Sequence, residues 1–162
     1  MRIKLLTTLA LGICALAVVA IPALGAAGAD DPKLIAKPMD GDQEVPGPGD
    51  DDGKGNAKLT LKSGKANEVC FVVRFRNIED PTAAHIHKGV EGKDGDIVVE
   101  LFTEAQDESP VKDCVEEFDA DPLSDKLLEQ LEAKPEKFYV NVHNEEYKDG
   151  AIRGQLATYE PK

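Results

Sequence analysis

The chain is poor in positive charge. Nineteen lysines and arginines stand against 31 aspartates and glutamates in 162 residues, a formal net charge of −12. Nucleic acid and anionic membrane surfaces are thereby excluded as partners, because clustered Lys and Arg hold both. The common signatures of catalysis are missing as well. There is no Gly-x-Ser-x-Gly elbow, no Walker-type or dinucleotide-binding glycine loop, no Cys-x-x-Cys and no His-Glu-x-x-His. Carboxylate pairs are so common in a chain this acidic that no single pair marks an acid–base site. No internal repeat is present. Cysteine and histidine are both scarce, with three of each.

The apolar run Leu5 to Ala20 follows Arg2 and Lys4 and precedes the small residues of Pro22 to Ala29. That is the pattern of a cleaved signal peptide over residues 1–29. The run is short for a membrane span, so no stable span is expected in the mature chain. Residues 30–162 then form a single domain. The signal carries two basic residues and no acidic one, so the mature chain has 17 basic against 31 acidic residues and a formal charge of −14. Export to a periplasmic or extracellular compartment is expected, with an extracytoplasmic protein as the class of partner. Cys14 lies inside the signal behind the bulky Ile13, which does not suit lipidation. Cys70 and Cys114 remain, and in an oxidising compartment they are expected to form a disulfide. Closing a loop of about 44 residues stabilises a fold by roughly 4 kcal/mol on the chain-entropy model.

Taken in order, Asp30 to Lys37 reads as a leader and Pro38 to Asn56 as a turn-rich segment of Gly, Pro and Asp. Within it, Asp50-Asp51-Asp52-Gly53 is a solvated turn: a calcium loop requires an acidic twelfth residue, where this chain has Leu61. Alternation predicts strands at Ala57–Lys62, Glu68–Phe75, around His85 and His87, at Ile97–Phe102, Phe138–His143 and Ala151–Thr158. Thr103 to Asp119 reads as irregular. Asp121 to Lys134 is predicted helical, with Asp121 as cap, Pro122 in the first turn, an apolar stripe of Leu123, Leu127, Leu128 and Leu131, and Pro135 as the stop. The pattern is a mostly antiparallel β-sandwich or small barrel with one short helix in a connection.

The histidines carry the functional signal. In an extended segment His85 and His87 point to one side while Ala84 and Ile86 point to the other. In FYVNVH, Tyr139, Asn141 and His143 likewise oppose the apolar Phe138, Val140 and Val142. Three neutral imidazoles with an open position suit one copper or zinc ion, and Asp, Glu or Tyr139 offers a fourth ligand. The alternative reading makes them polar surface residues that hydrogen-bond locally. Arg153 and Gln155 share the outer face of the last strand, where with Asn141 they are candidates for contact with the site or a partner. Arg153 would orient an acidic group or brace the closing hairpin.

Three segments carry a family resemblance: GDQEVPGPG (Gly41 to Gly49), AHIHKGVEGKDGDIVVEL (Ala84 to Leu101) and YVNVHNEEYKDGAIRGQL (Tyr139 to Leu156). In order and spacing they resemble the CHRD domain, named for chordin and also found in exported microbial proteins, over about residues 34–158. His85, His87, His143, Gly150, Arg153, Gly154 and Gln155 match the pattern, whereas Asn144, Tyr147-Lys148 and Ala151 depart from it. The resemblance implies an immunoglobulin-like β-sandwich and, from chordin, a secreted module that binds other proteins. The strand-borne histidines are also similar to those of copper/zinc superoxide dismutase, at the level of architecture. The leading expectation is a binding module with a three-histidine metal site, more a binder than an enzyme. Its rivals are a copper-dependent redox enzyme, for which Lys88 and Arg153 would supply local positive charge, and a metal-free structural or adhesive protein.

Overall fold

The computed structural model describes residues 31–161, so the signal-peptide expectation lies outside the described residues. Ten strands and one α-helix follow in order: β1 (Lys33–Asp40), β2 (Lys54–Lys62), β3 (Glu68–Arg76), β4 (Ala83–Lys88), β5 (Asp96–Phe102), β6 (Val111–Val115), β7 (Glu117–Phe118), β8 (Asp121–Pro122), α1 (Asp125–Ala133), β9 (Phe138–His143) and β10 (Ile152–Thr158). Eight of the strands form one antiparallel sheet in the order β5-β4-β9-β10-β1-β2-β3-β6. Its edges, β5 and β6, approach each other without pairing, so the sheet curls into a nearly closed barrel. The expected antiparallel β architecture with one helix is what forms. Among the described residues no helix is long and apolar enough to cross a membrane.

Alternation fills the barrel. Ala57, Leu59 and Leu61 of β2 meet Val69, Phe71 and Val73 of β3 inside, and Ile86, Val140 and Val142 line the opposite wall. A fully buried aliphatic side chain contributes about 1.5–3 kcal/mol over an exposed one, so this one-sided pattern fixes the register of every strand. Cys70 and Cys114 face each other directly across β3 and β6 and are bonded.

Three local expectations change. Lys33 to Asp40 is an inner strand between β10 and β2, not a leader; its register shifts between Ala36 and Met39, around Pro38, which has no amide hydrogen to give to a ladder. Val111 to Val115 is an edge strand, not irregular chain. The helix starts at Asp125, because Asp121–Pro122 pairs with Glu117–Phe118 and Ser124 caps instead, its hydroxyl accepting from the Leu127 amide at 3.2 Å. Leu128 and Leu131 of the stripe then enter the core beside Leu123.

Candidate metal centre

Strands β4, β9 and β10 lie side by side near the middle of the sheet, and their outer faces carry the polar residues. Register places Ala83 opposite His143, His85 opposite Asn141 and His87 opposite Tyr139, while Arg153 and Gln155 of β10 stand opposite Asn141 and Tyr139. This outer face is not solvated. His85 and His87 are 9% and 8% exposed, and Tyr139, Asn141 and Arg153 only 1–2%. Two loops cover it.

The loop after β4 is held down by four side chains. Arg153 Nη2 donates to the Val90 and Lys93 carbonyls at 3.1 and 2.8 Å, and Gln155 Nε2 to the Gly89 carbonyl at 2.8 Å. Tyr139 donates its hydroxyl proton to Asp94 at 3.1 Å, and His87 Nδ1 meets the Gly95 carbonyl at 2.8 Å. The Tyr139 ring is stacked by His87 (centroids 4.7 Å apart, 9° between planes) and covered by the Arg153 guanidinium at 3.4 Å. From the other loop Glu44 is buried, with its carboxyl packed against Gly150. A side chain at residue 150 would occupy the carboxyl's place.

Within this shell the three imidazoles converge. His85 Nδ1 and His143 Nε2 are 3.1 Å apart, and one nitrogen from each ring, His87 included, lies within 4.8 Å of the others. The outer nitrogens are spoken for: His87 Nδ1 by Gly95, and His143 Nδ1 by the Lys148 carbonyl at 3.0 Å. A carbonyl accepts only, so both rings carry their proton on Nδ1 and keep a lone pair on Nε2; the His143 lone pair accepts from His85 Nδ1, which therefore holds the His85 proton until a metal ion displaces it. His87 Nε2 is buried without a well-formed hydrogen bond, although the Asn141 side chain lies close enough to the ring to favour its protonation. All three rings are held below the ordinary histidine range, chiefly by burial; for His85 the depression reaches about 4, with His143 and His87 adding to it. At neutral pH all three are bases.

These residues could hold a metal ion. Two nitrogens each about 2.05 Å from a tetrahedral ion lie about 3.3 Å apart, close to the His85–His143 spacing, and anchoring the opposite nitrogen to a backbone carbonyl is how ligating histidines are oriented. Among the described residues no carboxylate joins the three donors, and Tyr139 is committed to Asp94, so none of the anticipated fourth ligands is in place. Asn141 lies between His85 and Arg153, whereas Arg153 and Gln155 brace the covering loop. Arg153 is buried, and its charge still acts on His87 through space, whereas Lys88 donates to Gln130 Oε1. The second possible donor group, Glu68 with Cys70 and Cys114, has its sulfurs in the disulfide.

Sequence reasoning did not single out Glu44, Asp94 or the Gly95 and Lys148 carbonyls. A backbone acceptor has no signature in side-chain identity, and Glu44 sits in a Gly/Pro stretch that reads as solvated turn. Its only sequence signal was its place in the first of the three resemblance segments. No curated protein and no solved structure matches the chain. The family model of the CHRD domain matches residues 35–156, which include all three histidines, Glu44 and the disulfide cysteines Cys70 and Cys114. The chain belongs to the CHRD domain family.

Proposed function

We propose that this CHRD domain is an exported binding module whose His85, His87 and His143 hold one copper or zinc ion. The observation that carries the reading is the pair of anchored rings. His87 and His143 each give Nδ1 to a backbone carbonyl, which leaves Nε2 as the lone-pair atom of each ring, and one nitrogen of each of the three rings lies within 4.8 Å of the others. Leaving His87 Nε2 buried without a well-formed hydrogen bond costs on the order of 1–3 kcal/mol, a cost that coordination removes. The ion would supply a Lewis-acidic centre with one open position; the protein supplies neutral donors, fixed ring orientations and a water-poor wall on the side of Tyr139. The acidic surface and the absence of the common catalytic motifs support a binder, with an extracytoplasmic protein as its partner.

The test is metal content and Cu(II)/Zn(II) titration of untagged residues 30–162 beside His85→Ala and His143→Ala. Stoichiometric submicromolar uptake lost in both variants is the expected result. Weak uptake, or uptake unchanged in either variant, would remove the three-histidine site and leave a protein-binding module. Copper that cycles between oxidation states in the loaded protein would favour the redox reading, and redox-silent binding the module.

A further inference from the structure

We propose that the open position of this centre is an anion site, which takes a small carboxylate or comparable monoanion with the Lys148 ammonium as its second contact. The inference rests on the metal reading above.

A cleft of about 410 Å³ opens beside His85 and His143 and is lined further by Thr82, Ile97, Asn144, Glu145 and Lys148. Away from it, the centre is walled by the Tyr139 ring and the loop that Arg153 holds down. A fourth ligand therefore enters through the cleft. Charge decides its class. Three neutral imidazoles leave a divalent ion's charge uncompensated, and among the described residues no carboxylate joins the donor set. A bound ion is then the largest local charge and reverses the sign of an otherwise acidic surface. Asp94 and Asp149 act on His87 and His143 from a distance without coordinating.

Lys148 adds to that positive field. Its carbonyl is the anchor of His143 Nδ1, so the lysine sits at the rim on a segment tied to a ligand ring. Its charge partner is Glu145 at 3.7 Å, with both side chains largely exposed at 76% and 84%. A pair this long and solvated is weak and readily exchanged. Asn144 is held in place by its own bonds, its Oδ1 accepting from the Tyr147 amide and its Nδ2 donating to the Glu79 carbonyl. One metal ion and one lysine at the rim of the cleft describe a small monoanion, bound to the ion and reached by the Lys148 side chain.

The protein carrying one equivalent of copper(II) is titrated with azide as a chromophoric anion, and with acetate as its competitor, following the azide-to-copper charge-transfer band. Saturable one-to-one binding displaced by acetate is expected. Lys148→Met should weaken it about three- to fivefold and Glu145→Gln strengthen it by a similar factor, as solvated charge contacts do, with copper stoichiometry still one in both. A general loss of packing would not move the two variants in opposite directions. Copper bound with no saturable anion response overturns the anion site, and saturable binding with the same affinity in both variants overturns Lys148 as its second contact; both leave the metal reading standing. Failure to take up copper, seen before any anion is added, overturns the metal reading and this inference with it.

Discussion

Replacing Glu44 by Gln should stabilise the metal-free protein, and by an amount that depends steeply on pH. Glu44 is 5% exposed, and burial pushes its carboxyl up to about 8 although Arg153, the Val45 amide and Asn141 all pull it down. In the unfolded chain the same group ionises near 4.5. The folded state therefore keeps a proton that the unfolded state releases, and stability falls as pH rises from about 4.5 to about 8. Integrated over that shift, the loss through Glu44 is about 1 kcal/mol at pH 5 and about 4 kcal/mol at pH 8. Glutamine keeps the shape of the protonated acid and never ionises. The stability difference between Glu44→Gln and the parent should thus widen by about 3 kcal/mol between those pH values. Urea unfolding in the presence of a chelator, with the disulfide intact, measures it. His85 works in the opposite sense: it titrates at about 4 when folded, so protonation of the unfolded chain below its usual 6.5 costs about 2 kcal/mol by pH 5. In the parent the two slopes oppose each other, and in Glu44→Gln the histidine slope stands alone. An offset between the two proteins that does not change with pH would mean that Glu44 is ionised and paired with Arg153, and the reasoning fails.

Metal affinity should fall by clearly less than about fiftyfold from pH 7.5 to pH 6, the loss that three unshifted histidines would show, because all three are depressed and fewer protons compete; calorimetric Zn(II) titration measures it, and a fiftyfold loss would refute the depression. Gly150→Ala should destabilise by about 2 kcal/mol or more by chemical denaturation, since residue 150 has φ +142° and its added methyl meets the Glu44 carboxyl; an unchanged midpoint would show that the loop yields freely. Replacing both Cys70 and Cys114 by Ser should cost up to about 4 kcal/mol from a loop of 44 residues, and a loss below about 1 kcal/mol would show that pairing with β3 alone holds β6.

The sequence made the barrel wall legible wherever one face was apolar and the other polar, as in β2, β3, β4 and β9. It failed where that contrast is weak. KLIAKPMD has lysines and a proline among its apolar residues, yet β1 is an inner strand because it has a neighbour on each side, a fact no local pattern contains. VKDCV is exposed along most of its length and is a strand only because β3 and the cystine hold it there. For the site, the period of two placed the three histidines on matching faces, and their convergence followed from β4 pairing with β9. What stayed hidden is the cover. GDQEVPGPG and GVEGKDG have the composition of solvated turns, but Arg153, Gln155 and His87 fix one of them by its carbonyls and Tyr139 by the Asp94 carboxylate, and Gly150 makes room for an acid from the other.

Strand β9 has one further consequence. Its Phe138, Val140 and Val142 are sealed inside the barrel, and its Tyr139 and Asn141 are sealed beneath the loops, with only His143 half-buried. A saturation library across FYVNVH should therefore return an unbroken block of intolerance, with none of the every-second-position freedom of a strand that has one face in water. Inner positions should reject polar residues and outer positions apolar ones, so mutational tolerance read alone would mistake this antiparallel strand for the buried centre of a parallel sheet.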